Sequence, residues 1–163
     1  MSVVKAVSID YAHEEIHEGK HYIFSRTKTM DTVTANTVVI TTPASSAGFI
    51  HMVAAAELTA AGSWTFSEAP ETSAGSTLTS YNSKRNSTNT SGATYAGGVV
   101  WTSAGTVLET HYIGANNPAS KLGGGAEIRA EYILKPSTKY GIRIANTAAT
   151  CYSVINVALY VEG

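Results

Sequence analysis

Along most of the chain, aromatic and β-branched runs recur between turn-rich breaks, the pattern of strands rather than helices. Runs rich in Val, Ile, Thr, Tyr, Phe and Trp predict strands over residues 21–27, 36–42, 48–58, 63–68, 99–102, 106–113, 126–134, 139–146 and 152–161. The breaks are Thr42-Pro43-Ala44-Ser45, Ala60-Ala61-Gly62, Ser103-Ala104-Gly105, Asn116-Asn117-Pro118 and Lys135-Pro136-Ser137-Thr138, all turn compositions. One run argues back. Residues 52–61 are rich in alanine, which loses no side-chain entropy in a helix. The run is too short for a stable isolated helix, however. Phe49-Ile50-His51 enters it as strand and Ser63-Trp64-Thr65-Phe66 leaves it as strand, so a hairpin turning at Ala60-Ala61-Gly62 accounts for both flanks.

Eight or nine strands with little or no helix predict an all-β, single-domain β-sandwich of jelly-roll type. It is expected to span residues 21–163, with an N-terminal arm at 1–20 and a long polar loop at 72–98. The last strand departs from alternation. Ile155, Val157, Leu159 and Val161 are apolar on one face, and Val154, Ala158 and Tyr160 make the other mostly apolar. Both faces are therefore expected to be covered, either by a loop over a central strand or by a second subunit.

Composition narrows the function classes. Charged residues are only 14% of the chain, well below the usual quarter. A net charge of −1 supplies no basic field, so no nucleic-acid partner is expected. Cys151 precedes an apolar strand with no general base nearby and reads as a small buried hydrophobe. The N-terminal residues lack a continuous apolar core and turn acidic early, and no run is long enough to cross a bilayer. A protein made in a cytoplasm, with no membrane partner, is expected.

Candidate chemistry is thin. His13-Glu14-Glu15-Ile16-His17 satisfies H-E-x-x-H, a spacing that works in zinc peptidases because a helix puts both histidines on one face. Gly19 follows closely, Tyr22-Ile23-Phe24 reads as strand, and His21 falls too early for a third ligand. The segment is read as solvated or turn-forming, with metal ligation by His13, His17 and His21 as the alternative. Gly123-Gly124-Gly125 lacks the helix and lysine of a phosphate loop and reads as a connection. Trp64 and Trp101 could belong to a sugar platform, but core or interface packing suits scattered strand positions better. The stretch at 72–98 is long enough to be functional or mobile. Its candidate partner contacts are Tyr81, Asn82, Arg85 and Asn86, the alternative being a solvated crossover. No catalytic residue and no cofactor is assigned.

Three segments look familiar together: Ile9-Asp10-Tyr11-Ala12-His13-Glu14-Glu15-Ile16-His17-Glu18-Gly19-Lys20-His21-Tyr22, Leu78-Thr79-Ser80-Tyr81-Asn82-Ser83-Lys84-Arg85-Asn86-Ser87, and Glu131-Tyr132-Ile133-Leu134-Lys135-Pro136-Ser137-Thr138-Lys139-Tyr140. On these the chain resembles small virion proteins of tailed bacteriophages, the capsid decoration or structural proteins. The resemblance implies a non-enzymatic component that binds the major capsid protein on the outside of the head and stabilises it, often as a homotrimer. It implies location in the virion after synthesis in the host cytoplasm. A receptor- or glycan-binding phage module is the alternative.

Overall fold

Alternating strands with one apolar face have to bury it, and here two antiparallel sheets stack face to face to do so. The computed structural model describes residues 11–44, 48–113, 124–127, 131–147 and 150–162. In chain order come α1 (Tyr11–Glu18), β1 (His21–Met30), β2 (Ala35–Thr41), β3 (Phe49–Leu58), β4 (Gly62–Glu68), β5 (Glu71–Thr72), β6 (Ser76–Thr77) and β7 (Tyr81–Asn82). Then follow β8 (Thr94–Gly97), β9 (Trp101–Ser103), β10 (Thr106–Ile113), β11 (Gly124–Glu127), β12 (Tyr132–Leu134), β13 (Lys139–Asn146) and β14 (Cys151–Glu162). The first sheet has the order β11-β3-β14-β1-β7, with β12 also pairing β3; the second has the order β10-β4-β13-β2-β8-β6. β5 and β9 form a separate two-stranded ribbon. β10 carries a bulge where its pairing with β4 shifts between Val107 and Glu109.

The core lies between the sheets. Phe24, Met52, Ile155 and Leu159 point in from the first, and Ile40, Trp64, Phe66 and Ile142 from the second, all buried. Phe66 sits between Tyr132, 4.9 Å away centroid to centroid, and Tyr140 at 5.8 Å. The Tyr132 hydroxyl donates to Glu109 Oε2 at 2.6 Å, linking β12 of one sheet to β10 of the other. On the outer side of the second sheet, a Cβ at Gly141 would stand 2.5 Å from the Trp101 ring and 2.9 Å from Pro70. The missing side chain is what lets the β9 tryptophan approach β13 so closely.

Several expectations need correction. β3 and β4 are strands, as the flanks of the alanine run suggested, but they belong to different sheets and do not pair. The turn between them crosses the sandwich and is no hairpin. A Cβ at Gly62 would fall 2.3 Å from the Ala145 carbonyl and 2.4 Å from Leu58, so this crossing is too tight for any other residue. The stretch at 72–98 is not one loop: β6, β7 and β8 lie within it and extend the edges of both sheets. Gly124 and Gly125 are not a bare connection, since they pair with Leu58 and Glu57. The strand predicted over 99–102 sits at Trp101–Ser103. A short helix, α1, occupies the described part of the expected arm. The turn at Asn116-Asn117-Pro118, Gly123, and the middle of the predicted 126–134 strand lie outside the described residues. No helix among the described residues is long and apolar enough to cross a membrane.

Candidate functional site

The glycine that argued against a helix at the H-E-x-x-H segment is the residue that ends it. Gly19 has φ of 72°, its N–H donates to the Ile16 carbonyl at 3.1 Å, and the Lys20 N–H donates to the Glu15 carbonyl at 2.8 Å. These two bonds with a left-handed glycine form a Schellman cap. Four more contacts tie the helix end to residues sixty positions away. Lys84 Nζ donates to the His17 carbonyl at 2.9 Å, Asn89 Nδ2 to that of Glu18 at 3.3 Å, and Asn82 Nδ2 to that of Gly19 at 2.7 Å. His21 Nδ1 lies 2.6 Å from Ser83 Oγ. Residues 17–21 and 82–89 therefore pack on each other at one corner of the fold.

Beside that corner, β7 pairs with β1 so that Tyr81 stands opposite Ile23. Tyr81 is 52% exposed, and the Arg85 guanidinium sits 5.3 Å above its ring centroid. Such a pair is a cation–π contact at the surface. Next to Tyr81 the outer face of the first sheet sinks into a groove of about 450 Å3, with Ile23, Val53, Ala55, Thr79 and Ala158 among its lining residues. The register explains the depression: Ala158 of the central strand β14 lies between Ile23 of β1 and Val53 of β3. A small side chain flanked by two larger ones leaves a trough.

Of the candidate contact residues, the structure brings Tyr81 and Arg85 together at the rim. Asn82 turns back instead, its Oδ1 accepting from the Lys84 N–H at 2.9 Å and its Nδ2 held by Gly19. Asn86 is exposed. His13 and His17 share one exposed helix face, whereas His21, whose pKa burial lowers, is engaged with Ser83. Among the described residues, no three His, Cys, Asp or Glu side chains are grouped to hold a metal. Cys151 is buried, with Asn146 Nδ2 2.8 Å from its sulfur. Trp64 is fully buried in the core, so it cannot serve a sugar platform.

Farther along the same outer face, sequence reasoning missed a polar cluster. His51 stacks on Tyr160 with centroids 4.6 Å apart, its Nε2 is 2.9 Å from Glu162 Oε2, and its Nδ1 contacts Glu131, which also accepts from the Tyr160 hydroxyl. Nothing local announces it, because His51 and Tyr160 meet only through the β3–β14 register. The Tyr160 hydroxyl holds the Glu131 carboxyl below the usual carboxylate range; partial burial opposes this and His51 adds to it. A carboxylate depressed in the folded state contributes stability that is present above its unfolded pKa, about 4.3, and lost as pH falls through the folded value. The melting-temperature advantage of the parent over Glu131→Gln is therefore expected to shrink as pH falls below about 4.3. An advantage that stayed constant with pH would contradict this assignment.

No protein-family model matches the chain, and no curated protein matches it either.

Proposed function

We propose that the protein is a non-enzymatic structural module that docks on the exterior of a tailed-phage capsid and stabilises it. One observation carries this reading: residues 11–22 and 78–87, parts of two of the three segments on which the resemblance rests, converge beside an exposed Tyr81–Arg85 pair and an apolar groove. Aromatic residues and arginine are the side chains that dominate binding energy at protein interfaces. Strand order supports a jelly roll. If β11 and β12 count as one strand, since both pair with β3, the eight principal strands are β1, β2, β3, β4, β10, β11/β12, β13 and β14. Numbered one to eight, they run 1-8-3-6 in one sheet and 2-7-4-5 in the other, an order in keeping with the double Greek key of capsid and lectin domains. The trimer is proposed from the resemblance together with the apolar groove on the outer face of the first sheet.

The experiment is co-sedimentation of purified protein with heads assembled from a tailed-phage major capsid protein, with light scattering of the free protein. Binding is expected, as is a mass three times that of the chain. Tyr81→Ala and Arg85→Ala are each expected to weaken binding by roughly tenfold or more with unchanged melting. Saturable binding untouched by both changes would remove this face from the interface. A monomeric mass at high micromolar concentration would remove the trimer. A glycan-binding module is the second reading, favoured by the half-exposed Tyr81, an aromatic of the kind on which the apolar face of a sugar stacks. Retention on a glycan array, without binding to heads, would select it.

A further inference from the structure

We propose that His13 and His17 form a two-histidine chelate for a late first-row divalent metal ion, Ni2+, Cu2+ or Co2+. α1 places residues four apart on one face, and both histidines are exposed there. Their Nε2 atoms lie 2.9 Å apart, with the rings edge to face and their centroids separated by 4.7 Å. Metal–imidazole bonds are about 2.0–2.1 Å long, so two nitrogens bound at a right angle stand about 2.9 Å apart and two bound at the tetrahedral angle about 3.4 Å. The observed spacing is that of adjacent positions on an octahedral or square-planar ion, which favours nickel, copper and cobalt over tetrahedral zinc.

The surroundings fix the pair without closing the site. Gly19 ends the helix two residues after His17, and Lys84 and Asn89 hold the carbonyls of His17 and Glu18, so the turn carrying the second ligand is pinned from outside the helix. No third His, Cys, Asp or Glu joins them among the described residues, and the His21 ring is turned to Ser83. Two protein ligands and several water positions make an open, exchangeable site. It lacks the three protein ligands of a catalytic zinc centre. The inference does not depend on the capsid reading.

The same 2.9 Å also suits a single N–H···N hydrogen bond between two neutral rings, and titration separates the two cases. Protein stripped with chelator is titrated calorimetrically with NiCl2 in a non-coordinating buffer. One ion per chain is expected. Because the second ligand binds intramolecularly once the first is engaged, His13→Ala and His17→Ala should each weaken binding by roughly a hundredfold. Both positions are exposed, and unchanged melting in the absence of metal would verify that the variants fold. His21→Ala should bind as the parent does. Substoichiometric Cu2+ should broaden amide resonances centred on residues 13–17 in 1H–15N spectra. Absence of one-to-one binding, binding unaffected in both variants, or broadening centred elsewhere would each overturn the proposal.

Discussion

Leu159→Asp is expected to abolish the cooperative folded state at 25 °C. Leu159 is 0% exposed on the central strand of the first sheet, in register with Tyr22 on one side and Met52 on the other. Removing a buried leucine costs about 2–5 kcal/mol, and an unpaired charge left in an apolar interior adds several more. A domain of this size has only about 5–15 kcal/mol to lose. The measurement is urea unfolding followed by circular dichroism. A sigmoidal transition within about 1 kcal/mol of the parent would mean that Leu159 does not face the core. Leu159→Ala should remain folded at reduced stability. The loss lies within one chain, so this variant reports nothing about association. The neighbouring residue does, because Ala158 points the other way, into the groove.

The second large effect is expected at Trp64. It is 0% exposed in the middle of β4, opposite His111 of β10 and Ile144 of β13, with the Phe66 ring centroid 6.3 Å away. Trp64→Ala should cost about 3–5 kcal/mol, read as a lower urea midpoint at unchanged slope. Trp64→Phe should cost clearly less. Its indole Nε1 is buried and meets no acceptor among the described residues, so phenylalanine removes a desolvated donor along with the ring area. A loss for Trp64→Phe as large as that for Trp64→Ala would contradict this.

What could be read in advance follows from the range of the forces involved. Strands at 49–58, 63–68 and 139–146 were legible because β-branched and aromatic alternation is written locally. Pairing was not. Ala60-Ala61-Gly62 has the same composition whether it closes a hairpin or crosses between sheets, and the contact that decides it, Gly62 against Ala145, is long-range. α1 failed for a related reason. Eight residues without an apolar stripe cannot hold a helix by themselves; this one is held by its glycine cap and by Lys84, Asn82 and Asn89. Tyr81 and Arg85 stood out as an aromatic and a cation in a polar stretch. The groove floor did not, because Ala55 and Ala158 read as ordinary strand residues until register assigns them to an outer face.

The bulge in β10 bears on how copies of this protein avoid one another. β7 and β6, which end the two sheets on one side, are two residues long and offer almost no ladder for another chain to extend. β10, at the other end of the second sheet, is the one edge strand of eight residues among those described, with Val107 and Leu108 exposed. A straight apolar edge of that length is a template for runaway strand addition. The irregularity between Val107 and Glu109 breaks the row of donors and acceptors where those side chains are most apolar. Fibrous aggregation through this edge is thereby disfavoured, so the association of copies proposed above would run through the sheet faces, where side chains rather than backbone set the specificity.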